Sequence, residues 1–252
     1  MDRNPPVIVK DLNKSFGSQA VLRGINLEVA EGETIAVLGK SGGGKSVLLK
    51  LIIGLQPADT GSIHVEGKEI GRLLRRELNE VRKKMGFLFQ EAALYDSMTV
   101  EDNVAFPLER HTRMAESERK QHAHDLLKNV GMEQDFAKMP SEISGGMQKR
   151  VGLARALALD PVVLLFDEPT AGLDPITAGE IADLIVRLKE QKKRAAIVVT
   201  HDIHSAKVFA DRLVLLQEGS ILAQGSFDDL QRSEDPFVVS FLRQDCGSGK
   251  GR

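Results

Sequence analysis

The chain has 252 residues, 42% of them hydrophobic, which suits one large domain with a sizeable core. Its 34 Lys and Arg against 36 Asp and Glu leave a formal charge of -2 with the signs interspersed, so there is no electrostatic footprint for nucleic acid and none is expected as a partner. One cysteine, Cys246, cannot form a disulfide framework and fits a reducing compartment; no apolar run nears the ~20 residues of a membrane helix, and no secretory signal is expected from residues 1–6.

The elements read as follows. Ile25, Leu27 and Val29 alternate with Asn26, Glu28 and Ala30, predicting a half-exposed strand. Thr34 to Leu38 is apolar after its first residue, as a strand covered on both faces should be. A glycine-rich loop and a helix follow, and Ile63 and Val65 alternate in another strand ended by Gly67. From about Glu91 to Leu159 the pattern is mostly helical, including an amphipathic helix from Glu116 to Val130 stopped at Gly131. Val162 to Phe166 and Ala195 to Thr200 are further buried strands, with a helix through Ile181, Leu184, Ile185 and Leu188 between them. Glu218-Gly219 predicts a hairpin turn, and Ser226 with Asp229 a capping box opening a short helix. Strands alternating with helices imply an α/β core with a mainly parallel sheet, beside an antiparallel β portion and a helical portion at about 91–159. The chain is expected to form one domain over 1–246, with a flexible Gly-, Ser- and Lys-rich tail at 247–252.

Gly39-Lys40-Ser41-Gly42-Gly43-Gly44-Lys45-Ser46 fits the phosphate-binding pattern G-x-x-x-x-G-K-[ST], with a buried strand before it and a helix after it. Glycines let backbone N–H groups curl around phosphate oxygens, and the helix N-terminus adds favourable partial charge. Lys45 is placed to reach the β- and γ-phosphates, and the Ser46 hydroxyl to ligate Mg2+. The alternative is an ordinary glycine-rich turn. The strand from Val162 ends in Asp167 and Glu168: Asp167 suits the Mg2+ shell, and Glu168 suits a general base for an attacking water. The competing reading is a solvated acidic turn before Pro169.

Ser144-Gly145-Gly146-Met147-Gln148, just before a helix running through Arg155 to Ala158, resembles, together with the phosphate loop, the ABC ATPase family. Gln90 matches that family's Q-loop, Gly172-Leu173-Asp174-Pro175 its D-loop, and His201 its switch histidine; Phe16 stands where the family has an aromatic that stacks on adenine. The resemblance implies a cassette in which two copies sandwich two ATP molecules head to tail. Ser144, Gly145 and Gly146 of one copy would face the γ-phosphate held by the other. His201 would sense that phosphate and help orient Glu168, Gln90 would touch Mg2+ or the water, and Asp174 would couple the two sites. For Phe16 a core role is the alternative; the other five histidines read as structural or surface residues.

Two positions depart from the family's Leu-Ser-Gly-Gly-Gln: Ile143 stands for Leu, and Met147 for Gln, which removes an amide. The Ser-Gly-Gly-Met signature and the stretch from Phe89 to Leu108 resemble the ATP-binding subunits of Mla-type phospholipid transporters. That implies an integral membrane permease, an MCE-domain protein and a small accessory subunit as partners, with the chain peripheral on the cytoplasmic face of the inner membrane. A short permease helix is expected in a groove near Gln90 and Leu94 to Val100; the alternative is that this segment only packs the helical portion. Competing functions are the energy subunit of another importer-like transporter and a soluble ABC ATPase that moves no solute.

Overall fold

The computed structural model describes residues 4–40 and 42–243; the phosphate-loop residue Ser41, Cys246 and the tail at 247–252 lie outside them. In chain order the elements are β1 (Val7–Phe16), β2 (Gln19–Val29), β3 (Thr34–Leu38), α1 (Lys45–Ile52), β4 (Thr60–Val65), β5 (Lys68–Glu69), α2 (Arg75–Arg82) and β6 (Met85–Leu88). Then come α3 (Val100–His111), α4 (Glu116–Asn129), α5 (Gly145–Leu157), β7 (Val163–Asp167), α6 (Pro175–Glu190) and β8 (Ala195–Thr200). The chain continues through α7 (Ile203–Phe209), β9 (Arg212–Gln217), β10 (Ser220–Gly225), α8 (Phe227–Gln231) and α9 (Pro236–Arg243).

The strands form two sheets. One is antiparallel, in the order β2-β1-β4-β5; the other runs β10-β9-β3-β8-β7-β6, with β9, β3, β8, β7 and β6 parallel and β10 antiparallel at its edge. The central strands are apolar throughout because both faces are covered. Leu38, Phe166, Val198 and Leu215 join one core with the helices α3 to α6. Val37, Leu165, Val199 and Val214, on the opposite pleat, join a second core with α1 and the antiparallel sheet. The alternation of side chains across a strand thus sends neighbouring residues of the same strand to different layers.

Glu218 (φ 48) and Gly219 (φ 83) turn β9 into β10, the left-handed pair that a two-residue hairpin requires. Ser226 caps α8 as expected: its hydroxyl accepts from Asp229 N at 3.2 Å, and its own N–H donates to Asp229 Oδ2 at 3.0 Å.

Three boundaries differ from expectation. Val162 is 39% exposed and stands outside β7, because it and Val163 both donate to the Lys84 carbonyl where the strand is entered. Phe89, which the sequence reads as closing a strand Phe87-Leu88-Phe89 before Gln90, falls beyond the end of β6, its ring 4.2 Å from that of Phe87 and tilted by 34°. Helicity expected from about Glu91 begins only at Val100. Ala92 (φ 57) and Ala93 (φ 49) are left-handed instead, and the fully buried Asn103 holds the segment after them. Its amide nitrogen donates to the carbonyls of Tyr95, Met98 and Thr99 at 3.0–3.1 Å, and its oxygen accepts from Tyr95 N at 2.8 Å. Replacing Asn103 by Leu keeps the volume but strands those buried backbone groups. The variant is expected to lose about 2–3 kcal/mol of stability and to exchange amide hydrogens faster at 95–99 than the wild type. Urea unfolding and hydrogen exchange followed by mass spectrometry would measure both.

Candidate active site

Leu38, Asp167 and Thr200 lie at the C-terminal ends of three adjacent parallel strands, in the order β3, β8, β7, with Leu38 beside Thr200 and Asp167 beside Val199. The phosphate loop leaves β3 at this edge. Its last glycine, Gly44, has φ 91, and a Cβ there would lie 2.8 Å from Leu22 Cδ2 and 2.9 Å from the Val21 carbonyl, so only glycine fits. No side chain caps α1, which leaves its first amides for an anion.

Lys45 opens α1 and is buried; its Nζ donates to the Gly39 carbonyl at 2.7 Å and the Lys40 carbonyl at 3.1 Å, and lies 3.9 Å from Glu168 Oε1. Burial pushes its pKa down, opposed by the charges of Glu168 and Asp167. Ser46 follows, and its hydroxyl donates to Asp167 Oδ1 at 2.8 Å. Burial pushes the Asp167 carboxyl up, the Ser46 bond pulls it down, and the neighbouring Glu168 charge adds to the rise.

Glu168 occupies a left-handed backbone position, φ 48. Its N–H donates to the Val199 carbonyl at 2.9 Å, which keeps the strand edge paired through the bend. Its Oε2 accepts from the Thr200 hydroxyl at 3.1 Å and the His201 backbone N–H at 3.3 Å, and lies 3.0 Å from His201 Nδ1. An ionised carboxylate only accepts, so with Glu168 charged the proton of that contact sits on Nδ1. Oε2 is thereby saturated, and Oε1 is the oxygen left to do chemistry.

One cleft of about 510 Å3 is lined by Phe16, Gly42, Gly44, Lys45, Ser46, Gln90, Glu168 and His201, together with Gln19, Val21 and Val47. Asp167 meets it through Ser46. Phe16 ends β1 and is 46% exposed, with Lys14 Nζ 5.3 Å from its ring centroid, so it is not a core aromatic.

Ser144, Gly145, Gly146 and Asp174 do not line this cleft. They form a second group. Ser144 caps α5, its hydroxyl accepting from Met147 N at 3.3 Å. Asp174 caps α6 through Ile176 N and Thr177 N, both at 3.1 Å, and the Thr177 hydroxyl donates to it at 2.6 Å. That hydroxyl holds the Asp174 carboxyl below the usual carboxylate range. The two helix starts touch: a Cβ on Gly146 would meet Thr177 Cγ2 at 2.5 Å, so the small residue is required by the packing. Ile176 beside them is 78% exposed. Of the two departures from the family signature, Ile143 is buried and Met147 packs against the same core.

Two residues that the motif reading passed over belong here. Thr200 orients Glu168, and the buried Lys149 donates to the carbonyls of Gln90 and Glu168. The signal for Lys149 lay in helical spacing: Gly146, Lys149 and Leu153 share the buried face of α5.

The ABC transporter family pattern matches residues 22–171, more than half of the chain. The chain belongs to that family and is an ABC ATPase subunit. Among its relatives is the intermembrane phospholipid transport system ATP-binding protein MlaF of Haemophilus influenzae, 43% identical over 93% of this chain and 89% of that protein. A probable ribonucleotide transport ATP-binding protein of Mycobacterium leprae is 42% identical over 93% of this chain and 67% of that protein. The methionine import ATP-binding protein MetN of Brucella abortus is 39% identical over 88% and 60%. Among solved structures, a dimeric ATP-binding cassette in a post-hydrolysis state with ADP and Pi superposes with TM-score 0.81 at 35% identity, covering 87% of this chain and 98% of that one. CbiO1 of Clostridium perfringens superposes with TM-score 0.83 at 30% identity, covering 95% and 96%.

Lys45→Ala removes the cation that closes the phosphate loop. Its ATP affinity, measured with a fluorescent nucleotide, is expected to fall about a hundredfold, as the loss of a buried charged contact implies.

Proposed function

We propose that this chain energises a phospholipid transporter of the Mla type, binding and hydrolysing ATP between two copies of itself. The observation that carries the catalytic part is the saturation of Glu168 Oε2 by Thr200 and His201, which leaves Oε1 facing Lys45 at the cleft. Glu168 Oε1 takes a proton from water as the water oxygen attacks the γ-phosphorus; the bond to the bridging oxygen breaks and ADP leaves. Lys45 and the loop amides hold the phosphates, Phe16 stacks on the base, and His201 keeps Glu168 in place.

The donor set fits magnesium. Ser46 and Asp167 present two hard oxygen ligands side by side, the hydroxyl 2.8 Å from Oδ1, as suits an ion that keeps water and phosphate ligands. Ser46, Asp167 and the Gln90 amide would hold it, and it would supply charge neutralisation to the phosphates.

The second group, Ser144, Gly145, Gly146 and Asp174, is exposed except for Gly146 and lies outside the cleft lining, as a head-to-tail second copy requires. Its capped helix start would face the partner's γ-phosphate. The dimeric cassette among the structural neighbours supports this arrangement.

A second cleft, of about 420 Å3, lies beside the Q-loop between Phe87, Phe89, Tyr95, Phe106, Arg110 and Arg155. Tyr95 is 45% exposed with its ring 4.9 Å from Phe106, so the surface is apolar and aromatic with a cationic rim. This suits a short permease helix laid in a groove. No helix among the described residues is long and apolar enough to cross a membrane; attachment to the inner face would run through that permease. The likeness to MlaF supports an MCE-domain protein as a further partner, and a small accessory subunit is proposed with it. The likeness to a probable ribonucleotide transport subunit, at 42% identity, and to a methionine import subunit, at 39%, supports as a second reading the same engine serving another solute.

Glu168→Gln keeps the hydrogen-bonded shape but removes the base. It is expected to bind ATP normally, lower turnover by about a hundredfold or more, and hold the closed dimer in gel filtration with ATP. Tagged and extracted in mild detergent with ATP, this variant should carry a permease, an MCE-domain protein and phospholipid. A different permease would move the chain to the second reading, and a soluble, active protein with no membrane partner would end the transport reading. A photo-crosslinking residue at Tyr95 should capture the permease; capture of other proteins only would refute the groove.

A further inference from the structure

Lys149 is a charged residue 5% exposed, on the buried face of the helix that the signature sequence opens. Burial pushes its pKa down, and the charges of Glu91, Asp167 and Glu168 push back, so the ammonium is held against acidic neighbours. Its Nζ donates to two backbone carbonyls from different parts of the fold, those of Gln90 and, at 3.2 Å, Glu168.

Neither carbonyl is a routine acceptor. Gln90 is the first residue after β6 whose side chain reaches the cleft, and the chain then enters the left-handed Ala92 and Ala93. Glu168 is itself left-handed, and its carbonyl also takes the Ala171 N–H at 3.2 Å. A non-glycine residue in this conformation persists only where the surroundings over-determine it. Around Glu168 the fixing contacts are Val199 at its N–H, Thr200 and His201 at its carboxylate, and Lys149 at its carbonyl.

We propose that Lys149 is a positioning residue for ATP hydrolysis. Its ammonium clamps the backbone of the base Glu168 and of Gln90 to the signature helix, so that the groups that activate water and sense the metal keep one relative geometry. The proposal rests on Glu168 acting as the base. Lys149 touches neither substrate nor reacting atoms in this arrangement. It acts by fixing where Glu168 Oε1 points and by holding the chain at the start of the Q-loop. A buried charged donor shared by two carbonyls contributes more than a neutral one; its removal takes the Lys149 bond from the Gln90 carbonyl and leaves the Glu168 carbonyl with the Ala171 N–H alone.

The test uses the purified full-length protein with Lys149→Met, which keeps length and apolar bulk without a donor, and Lys149→Arg, which keeps charge and donors. Melting temperature, affinity for a fluorescent ATP analogue, and kcat and KM for ATP are measured for each. The expected result is a kcat about tenfold or more lower in Lys149→Met with nucleotide affinity within about threefold of wild type, and recovery of most of the kcat in Lys149→Arg. A Lys149→Met protein that melts lower but turns over at the wild-type rate while folded would overturn the proposal, as would equal losses in Met and Arg variants. Should Lys149→Met not fold, Lys149→Gln takes its place, and the same split between kcat and affinity decides. Wild-type kcat separates the two claims. If wild type hydrolyses ATP and Glu168→Gln does not, an unchanged Lys149→Met sinks only the role of Lys149; if Glu168→Gln hydrolyses normally, the underlying reading of Glu168 fails first.

Discussion

Three strands that run the same way must end at the same edge, and the chemistry of this protein depends on that register. Leu38 lies beside Thr200, and Asp167 beside Val199, so the phosphate loop, the acidic pair and His201 emerge together although far apart in sequence. Parallel pairing of this kind needs both faces covered, here by α3 to α6 on one side and by α1 with the antiparallel sheet on the other, which is why two separate cores flank the same strands. The result is an edge where backbone amides and polar side chains accumulate above a dry, rigid base. A serine hydroxyl can then meet an aspartate from a strand two places away, at 2.8 Å.

The signature helix links this edge to the rest of the molecule. Its exposed start is capped by Ser144, while three cations further along grip backbone oxygens. Lys149 reaches Gln90 and Glu168, Arg150 reaches Val130 at 2.9 Å, and Arg155 reaches Ala92 at 2.5 Å and Ala93 at 2.7 Å. Carbonyl acceptors do not depend on the identity of their side chains, so this grip holds the path of the chain. The Q-loop, the helix and the edge of the parallel sheet therefore move against one another only by breaking charge-assisted bonds.

Much of this was legible in the sequence, and the exceptions have physical causes. The buried strands stood out because burial on both faces demands uninterrupted apolar runs, as in Ala195 to Thr200. The hairpin at Glu218-Gly219 and the box at Ser226 and Asp229 stood out because each uses residue types its local geometry needs. β1 did not, because irregularities between Val9 and Leu12 and between Leu12 and Lys14 break its alternation. The segment from Glu91 misled because alanine favours helix, whereas Arg155 captures the carbonyls of Ala92 and Ala93 and Asn103 captures the turn beyond. Tertiary bonds from distant residues overrode local propensity there. Phosphate-loop, carboxylate and histidine positions were readable as motifs. Thr200 and Lys149 belong to no motif, and their partners are backbone or carboxylate oxygens that only the folded chain brings near.

Met147 bears on how the signature helix communicates. A glutamine there would offer an amide to polar partners across an interface; methionine instead packs against the core shared with α3 to α6. Its backbone N–H still serves the cap by donating to Ser144, so the capped start of the helix survives the exchange. The side chain therefore ties the helix inward by apolar contact, while the polar bonds of the helix to the Q-loop segment are made by Lys149 and Arg155 further along it. Those two residues lie six positions apart, on turns that face the base and the Q-loop in succession. A rotation of the helix that presented Ser144 differently to a second copy would strain both grips at once. Such a rotation would also disturb the core contacts of Val151, Leu153 and Leu157 on the same helix, so the start of the helix and the backbone of Glu168 are tied together by packing as well as by charge.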